Sequence, residues 1–584
     1  MVTKTTGRLL ARSPTDVFAV VVLCVLIVGI WLPRFRGPID LRWDGAVYYI
    51  LGTSLAEGKG YRLLNEPGEI EEVQYPPLLP LIIAAHERVL GTTDPIIVGQ
   101  SLRLSFFFIF LFYILGIYLL LRNHLPLRYA FVGVLLCLFN LHTYFLSDLL
   151  FPEIPFAFVT ILFVLCNRNH SRRIYSILAG LFAIAAYALR TIGTTVLAAW
   201  IAESLFKRQF KRSALRLALS AVSVLCWQGY ISLVESGPHY QHPFYDYQRA
   251  NYLCYNVSYA KNIFSLKDPF TPESGPASLQ DIAARFTHNL TWIPTSLGAA
   301  VSSTPRLWEL PWKSFKMQFP VATPWPAHVM LITLGSLVLC GLGLQVIRRQ
   351  LMIPFYISSY IIIMCLTPWP EQFYRYLAPV APFLVLSLLT MLLQIRDQSQ
   401  QILPAPWKAA GLTVTIVLLA VVLIQQSLTL FATYTRWHSE AAYAGPHNSQ
   451  TRHRLFFYHD AYRVLDKGLD WLKLRAKPTD VVASSMPHWV YLRTGLKAVM
   501  PPYEPDPAEA QHLLNSVPVK YLILDEELAI DTRRYTSAVV RTFPAEWKRV
   551  YSASVISEFG TELANRFEIY ERVNSQISSA AAYP

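Results

Sequence analysis

Charge is scarce in this chain. Asp, Glu, Lys and Arg make up 15% of its 584 residues, where an ordinary soluble domain carries about 25%. The length alone would allow several soluble domains, but long uncharged runs exclude that reading. Val17–Pro33, Leu104–Leu121, Tyr129–Ser147, Leu217–Val234, Val329–Ile347, Leu351–Trp369, Tyr376–Ile395 and Ala409–Tyr434 each reach or approach the roughly 20 residues a bilayer requires. Shorter runs lie at Ile154–Asn167, Ile174–Leu189 and Thr191–Ala202. Together they predict an α-helical polytopic membrane protein with about eleven spans. Cysteine is equally uninformative. Of seven, Cys24, Cys137, Cys166, Cys226, Cys340 and Cys365 fall in apolar runs and only Cys254 in a loop. That excludes a disulfide framework and a Cys-x-x-Cys metal site. Repeats at solenoid spacing are absent.

Lys4, Arg8 and Arg12 precede the first run, as in a signal peptide. No small-x-small cleavage site follows, so an uncleaved first span is expected. Acidic residues are missing from one side of the predicted topology. With the N-terminus cytoplasmic, the inner side carries Lys4, Arg8, Arg12, Arg122, Arg128, Arg168, Arg172, Arg173, Lys207, Arg208, Lys211, Arg212, Arg216, Arg348, Arg349, Arg396 and Lys408, against Asp397. That excess accounts for the net charge of +13, fixes the expected orientation, and removes any case for nucleic acid.

The outer face then receives four pieces: a loop over 34–100, a short turn around Asp148–Glu153, a long loop over 235–325, and everything after about residue 435. In the first, Ala46–Glu57 reads as a helix lying near the surface, ended by Gly58-Lys59-Gly60. Tyr75-Pro76-Pro77 opens a second helix to about Leu90, since Pro fits a first helical turn. Both are expected in the membrane interface. The long loop is rich in Tyr240, Tyr245, Tyr247, Tyr252, Tyr255, Tyr259, Trp292, Trp308, Trp312 and Trp325. Such rings either anchor at the headgroup level or stack on sugars. After residue 435 the pattern changes. Leu465, Leu469 and Leu472 mark an amphipathic helix, and 481–483, 521–524 and 567–570 read as strands. A small α/β extracytoplasmic domain over 435–574 is expected, with a disordered tail at 575–584.

Polar residues from separate loops gather at one depth on the outer side: Asp44, Asp148, Glu153, Arg190 and Arg375. A carboxylate held at a membrane face is costly unless it works. Arginine grips a phosphate in bidentate fashion, and a carboxylate can take a proton from a hydroxyl. The set suits group transfer from a lipid-linked phosphate. Asp44, Asp148 and Glu153 are the candidate catalytic residues; Arg375, Tyr376, Arg190, Tyr75 and Tyr48 are the candidate substrate-binding residues. His86-Glu87 could join a distant His239, His242 or His288 around a metal, although adjacent residues point to different helix faces. No cofactor is expected, and a divalent metal is left open. Asn256-Val257-Ser258 and Asn289-Leu290-Thr291 are glycosylation sequons on the outer side.

Asp44-Gly45-Ala46-Val47-Tyr48, then Tyr75-Pro76-Pro77-Leu78, then Ser147-Asp148-Leu149 with Pro152-Glu153, then Arg375-Tyr376 with Pro379 resemble the membrane glycosyltransferases of the C fold. The pattern is most similar to the protein O-mannosyltransferases, the lipid A aminoarabinose transferases and related bacterial enzymes. The resemblance covers roughly residues 10–430. It implies a polyprenyl-phosphate sugar donor, an outward active site and inversion at the anomeric carbon. It also implies Asp44 as catalytic base, Asp148 as second acidic residue and Arg375 as a ligand of the donor phosphate. Two departures stand out: Gly45 replaces the Glu that often follows the aspartate, and Tyr75 replaces a Lys before the Pro pair. The tail resembles small periplasmic domains of some bacterial members and implies no activity of its own.

The expected protein is therefore a transferase in the cytoplasmic membrane, with a transmembrane region over 1–434. Its partners would be membrane lipids, a polyprenyl-phosphate sugar and a glycan, lipid or protein acceptor. Two alternatives stand beside it: a transporter or flippase of a lipid-linked saccharide, and a non-catalytic protein of envelope glycan assembly. Transporters place polar groups near the midplane and carry paired halves; neither feature is present in this sequence.

Overall fold

The computed structural model of the chain describes residues 13–168, 172–308, 325–402, 404, 409–444, 450–525, 532–556 and 562–573. Lys4, Arg8, Arg12, Lys408, Trp312 and the expected tail lie outside the described residues. All eleven apolar runs contain helix. Among the described residues six stretches are long and apolar enough to cross a bilayer: Pro14–Arg34, Pro95–Arg122, Phe210–Glu235, Pro326–Ile347, Pro370–Ile402 and Ala410–Arg436. Leu127–Leu138, Glu153–Arg168, Arg173–Leu189, Thr194–Phe206 and Met352–Cys365 are shorter.

The run over 129–147 is not one helix. It stops at Leu138, and Asn140 starts a new short helix, Leu141–Leu146. The Asn140 oxygen accepts from the His142 N–H at 3.0 Å, and its amide donates to the carbonyls of Ala300 and Ser302 at 3.1 Å each. A buried amide must be satisfied, and here that need interrupts the helix.

The long outer loop also departs from expectation. It contains a 23-residue helix, Leu279–Val301, opened by a reciprocal capping box between Ser278 and Asp281. Its end is buried among the membrane helices. A Cβ at Gly298 would lie 2.0 Å from the Leu331 carbonyl, and one at Gly335 would lie 1.8 Å from that of Pro294. The two backbones meet because both positions are glycine, the usual device of close helix packing in lipid.

The first outer loop forms its two helices at Asp44–Ala56 and Leu78–Leu90. The second is amphipathic, with Leu79 and Ile83 inside and Leu81 and Val89 outside. The first does not lie on the surface: Gly45 through Gly52 are all buried. A helix that is apolar all round has to be covered; Leu78–Leu90 packs along this one, and the helix Pro487–Thr494, from the segments after Arg436, adds a second, smaller cover.

Those segments form two sheets. Strands β1 (His438–Ala444) and β2 (Gln450–Phe456) make an antiparallel hairpin directly after the last membrane helix. Strands β3 (Val481–Ala483), β4 (Lys497–Val499), β5 (Val519–Leu524), β6 (Trp547–Ile556) and β7 (Glu562–Arg572) form one sheet in the order β4-β3-β5-β7-β6. Its first three strands are parallel and the last two antiparallel to their neighbours. The amphipathic helix Asp460–Lys473 buries Leu465, Leu469 and Leu472 as expected. The sheet does not hang free of the membrane region. The Ala498 N–H donates to the Asn65 carbonyl at 2.8 Å, which extends the β4 edge with a residue of the first outer loop.

Candidate active site

Asp44 is the first residue of its helix. A carboxylate there is favoured by the positive end of the helix dipole. The preceding residue, Trp43, has φ +56°, a rare backbone state for a bulky side chain. What brings Asp44 beside the second outer turn is a short backbone pairing. The Asp40 N–H donates to the Asp148 carbonyl at 3.0 Å, and the Leu150 N–H donates to that of Asp40 at 2.9 Å. This pairing explains Gly45. A Cβ there would sit 3.3 Å from the Asp40 carbonyl and 3.5 Å from Leu150 Cβ, so any side chain would press on the paired Asp40 backbone.

The second carboxylate comes instead from Glu153, the first residue of the helix Glu153–Arg168. Arg375 joins the two. Its Nη2 donates to Asp44 Oδ2 at 2.7 Å and its Nε to Glu153 Oε1 at 2.9 Å. Arg190, at the end of the helix Arg173–Leu189, places Nη1 3.0 Å from the same Glu153 oxygen. Glu153 is 0% exposed, Asp44 17% and Arg375 27%. Glu153 thus anchors two guanidinium groups from below, while Asp44 and the outer edge of Arg375 face an opening. Two cations and two anions balance, so the site tolerates burial as long as no member is lost.

The opening is a cavity of about 430 Å³. Asp44, Arg190, Arg375, Tyr75, Tyr255, Tyr259 and Tyr376 line it together with Trp43, His142, Trp369, Tyr374 and Trp489. Tyr255 donates to Asp44 Oδ1 at 3.2 Å. Its phenol is pushed well up, first by burial and then by the Asp44 charge, so it stays a donor. Tyr75 sits beneath, with ring centroids 4.7 Å from Tyr48 and 6.2 Å from Tyr255. Burial pushes its phenol up as well. Tyr48 supports the Tyr75 ring from one helical turn beyond Asp44. Tyr376 lines the cavity, and its backbone carbonyl accepts from the Tyr360 hydroxyl at 2.6 Å.

Asp148 is not brought to this cavity. It is 1% exposed, 3.2 Å from Arg34 Nε and 3.3 Å from Arg103 Nη2. Burial alone would raise its carboxyl; Arg103 and Arg34 outweigh that and hold it below the ordinary carboxylate range. Arg34 also donates to the Ser147 hydroxyl at 2.9 Å. Asp148 therefore fastens the first outer loop to the second turn rather than facing a substrate.

The proposed metal pair is dispersed. The His86 ring nitrogens lie 2.8 Å from the Ile82 carbonyl and 2.8 Å from the Ser105 hydroxyl, and Glu87 accepts from Thr53 at 2.7 Å. Among the described residues no three His, Cys, Asp or Glu side chains converge. Both sequons are closed: Asn256 and Asn289 are buried, and their amides donate to the carbonyls of Gln248 and of Cys365 and Thr367.

Sequence reasoning passed over the wall contributed from beyond Arg436. Ser485, Met486, His488 and Trp489 line the cavity. Burial pushes the His488 imidazole down to about 3, so it is neutral, and its ring stands edge-on to Tyr255 at 4.7 Å. No spacing in the chain marks these residues; of the other wall residues, Trp43 and Tyr374 adjoin residues already singled out.

No protein-family profile and no curated protein matches the sequence. Solved structures do match. ArnT from Cupriavidus metallidurans in the apo state aligns with a TM-score of 0.50 at 11% identity, over 95% of this chain and 98% of that one. The archaeal oligosaccharyltransferase AglB from Archaeoglobus fulgidus, in complex with an inhibitory peptide and a dolichol-phosphate, aligns with a TM-score of 0.49 at 14% identity, over 96% and 74%. The chain is an integral membrane protein with the glycosyltransferase C fold and a strand-containing C-terminal region.

Proposed function

We propose that this protein is an inverting glycosyltransferase that moves a sugar from a polyprenyl-phosphate donor to an extracytoplasmic acceptor, whether glycolipid, glycan or protein. The observation that carries the reading is Arg375 bridging Asp44 and Glu153 at the floor of an aromatic-walled cavity. The donor phosphate takes the exposed edge of Arg375, with Arg190 beside it. Its two oxygens replace Asp44 as acceptors of the Arg375 N–H groups, a geometry suited to phosphate. That exchange frees Asp44 to act as base. The acceptor hydroxyl gives its proton to Asp44 as its oxygen bonds to the sugar C1. The C1–O bond to phosphate breaks with its electron pair on the phosphate oxygen, which the guanidinium groups stabilise. Glu153 holds both arginines and keeps them aimed. The aromatic walls fit a sugar ring and the first part of a lipid chain.

The N-terminus is assigned to the cytoplasm, with the cavity and the region from residue 435 outside. The test is transfer of label from a panel of polyprenyl-phosphate sugars by the purified protein. Transfer by the native protein and its loss in Asp44→Asn are expected. Native-rate transfer by that variant refutes Asp44 as base.

A further inference from the structure

The catalytic carboxylate does not stand in its loop unaided. The two residues before it are both held by the C-terminal region. Arg42 is 1% exposed. Its Nη2 donates to Asp40 Oδ2 at 2.6 Å and to the Phe456 carbonyl at 2.6 Å, and its Nη1 donates to the Phe457 carbonyl at 3.2 Å. The Trp43 indole N–H donates to the Tyr462 hydroxyl at 3.0 Å, and the two rings meet edge to face at 5.8 Å. Trp43 and Phe457 have φ +56° and +52°, so unfavourable backbone states lie on both sides of this contact. Such states persist only where the surroundings over-determine them. On the other flank His488 stands against Tyr255, whose hydroxyl donates to Asp44 Oδ1.

Neither contact belongs to the membrane helices. Tyr462 lies on the helix Asp460–Lys473 and His488 on the helix Pro487–Thr494. The C-terminal region therefore grips the start of the Asp44 helix through Trp43 and the Asp44 side chain through Tyr255.

From this juxtaposition we infer that the C-terminal region sets the position of the catalytic carboxylate, with Tyr462, acting through the Trp43 indole, as a positioning residue. The inference rests on the glycosyltransferase reading for its kinetic consequence, but not for its structural one. Without the Tyr462 hydroxyl, Trp43 loses its indole hydrogen bond and keeps only the Arg42 guanidinium over its ring at 4.5 Å and ring packing, and the first turn of the Asp44 helix is freer to relax. A displacement of about 1 Å at a reacting group costs on the order of 10²-fold in rate, and a single lost hydrogen bond should produce part of that.

The test uses the full-length protein in detergent or nanodiscs with two variants, Tyr462→Phe and Trp43→Phe, and their combination. Each removes the same hydrogen bond from opposite sides while keeping an aromatic ring. Hydrogen–deuterium exchange is followed over residues 42–48. Transfer is followed from radiolabelled undecaprenyl-phosphate hexoses and pentoses. Each variant is expected to exchange faster over 42–48 and to lower kcat about 10-fold, with donor KM unchanged in Tyr462→Phe, whose ring does not line the cavity. The double variant should fall no further than Trp43→Phe alone, because one bond is lost in all three. Unchanged exchange overturns the inference, and so does faster exchange with native kcat. Trp43→Phe alters no residue of the C-terminal region, so a folding defect in Tyr462→Phe does not remove the test. Absence of transfer by the native protein would refute the glycosyltransferase reading instead, and exchange alone would then decide the positioning.

Discussion

Two clusters of carboxylate and arginine lie where the 34–100 loop meets the turn around Asp148–Glu153, built from the same residue types. In one, Asp44 and Glu153 share Arg375, with Arg190 close by. In the other, Asp148 meets Arg34 and Arg103. The first opens on a cavity and the second is sealed. Charge pairing alone therefore does not identify a reactive site. A carboxylate is available for chemistry when its partner's remaining donors face a space that a substrate can fill. The sealed cluster fixes geometry, since a buried pair is strongly destabilised by loss of one member but offers no access.

The largest effect is expected from the base itself. Asp44→Asn should lower transfer by about 10²–10⁴-fold with a smaller fall in thermal midpoint than loss of a sealed member causes, because Asn keeps an acceptor for Arg375 and the pair is part-exposed, measured on labelled product and by differential scanning fluorimetry. The opposite pattern belongs to the sealed cluster. Asp148→Ala leaves two buried guanidinium groups uncompensated and should cost roughly 3–5 kcal/mol of stability, while the folded fraction keeps most of its turnover. If Asp148→Ala instead abolished turnover in fully folded protein, the contrast between the clusters would collapse. A smaller loss, roughly 10²-fold in kcat/KM, is expected for Arg375→Lys. An ammonium keeps the charge but cannot span Asp44, Glu153 and a phosphate together. Undecaprenyl phosphate binding, followed by tryptophan quenching, should weaken in parallel.

The smallest effect concerns pH, and its sign separates the sealed pair from other buried acids of the first outer loop. Burial pushes Glu66 and Glu72 up to about 7. Between the ordinary glutamate range and about 7, the folded protein keeps protons that the unfolded chain has released. Their contribution to stability is therefore fully present at low pH and fades as pH rises through about 7. Asp148, held below the ordinary range, contributes in the opposite sense: its stabilisation is present at neutral pH and is lost as pH falls through its folded value. The thermal midpoint should fall modestly between pH 5.5 and 8, and Glu66→Gln should flatten that slope. A slope of the same size in Glu66→Gln would remove Glu66 from the account.

Much of the arrangement was legible along the chain. The uncharged runs marked the membrane helices, because a bilayer admits little else. Asp44, Glu153, Arg190 and Arg375 stood out as charges at the ends of such runs. The helix Leu279–Val301 was missed although Ser278 and Asp281 carried its start signal; the aromatic richness of that loop drew the reading toward the interface. The burial of the Asp44 helix was missed because its covers, Leu78–Leu90 and the helix Pro487–Thr494, lie on separate segments whose packing against it no local pattern states. Asp148 and Glu153 could not be told apart, since five residues of separation does not say which carboxylate turns inward.

Local composition thus determined the class of protein, the helices and the set of charged residues, because the cost of placing a charge or an open backbone in lipid depends on the segment itself. Tertiary structure decided which of those charges share a cavity. Hydrogen bonds from Arg375 and Tyr255 settle where Asp44 points, and the Asp40–Asp148 pairing and a tyrosine on a distant helix hold the chain that leads to it. Such contacts join residues hundreds of positions apart, and their energies exist only once the chain has folded.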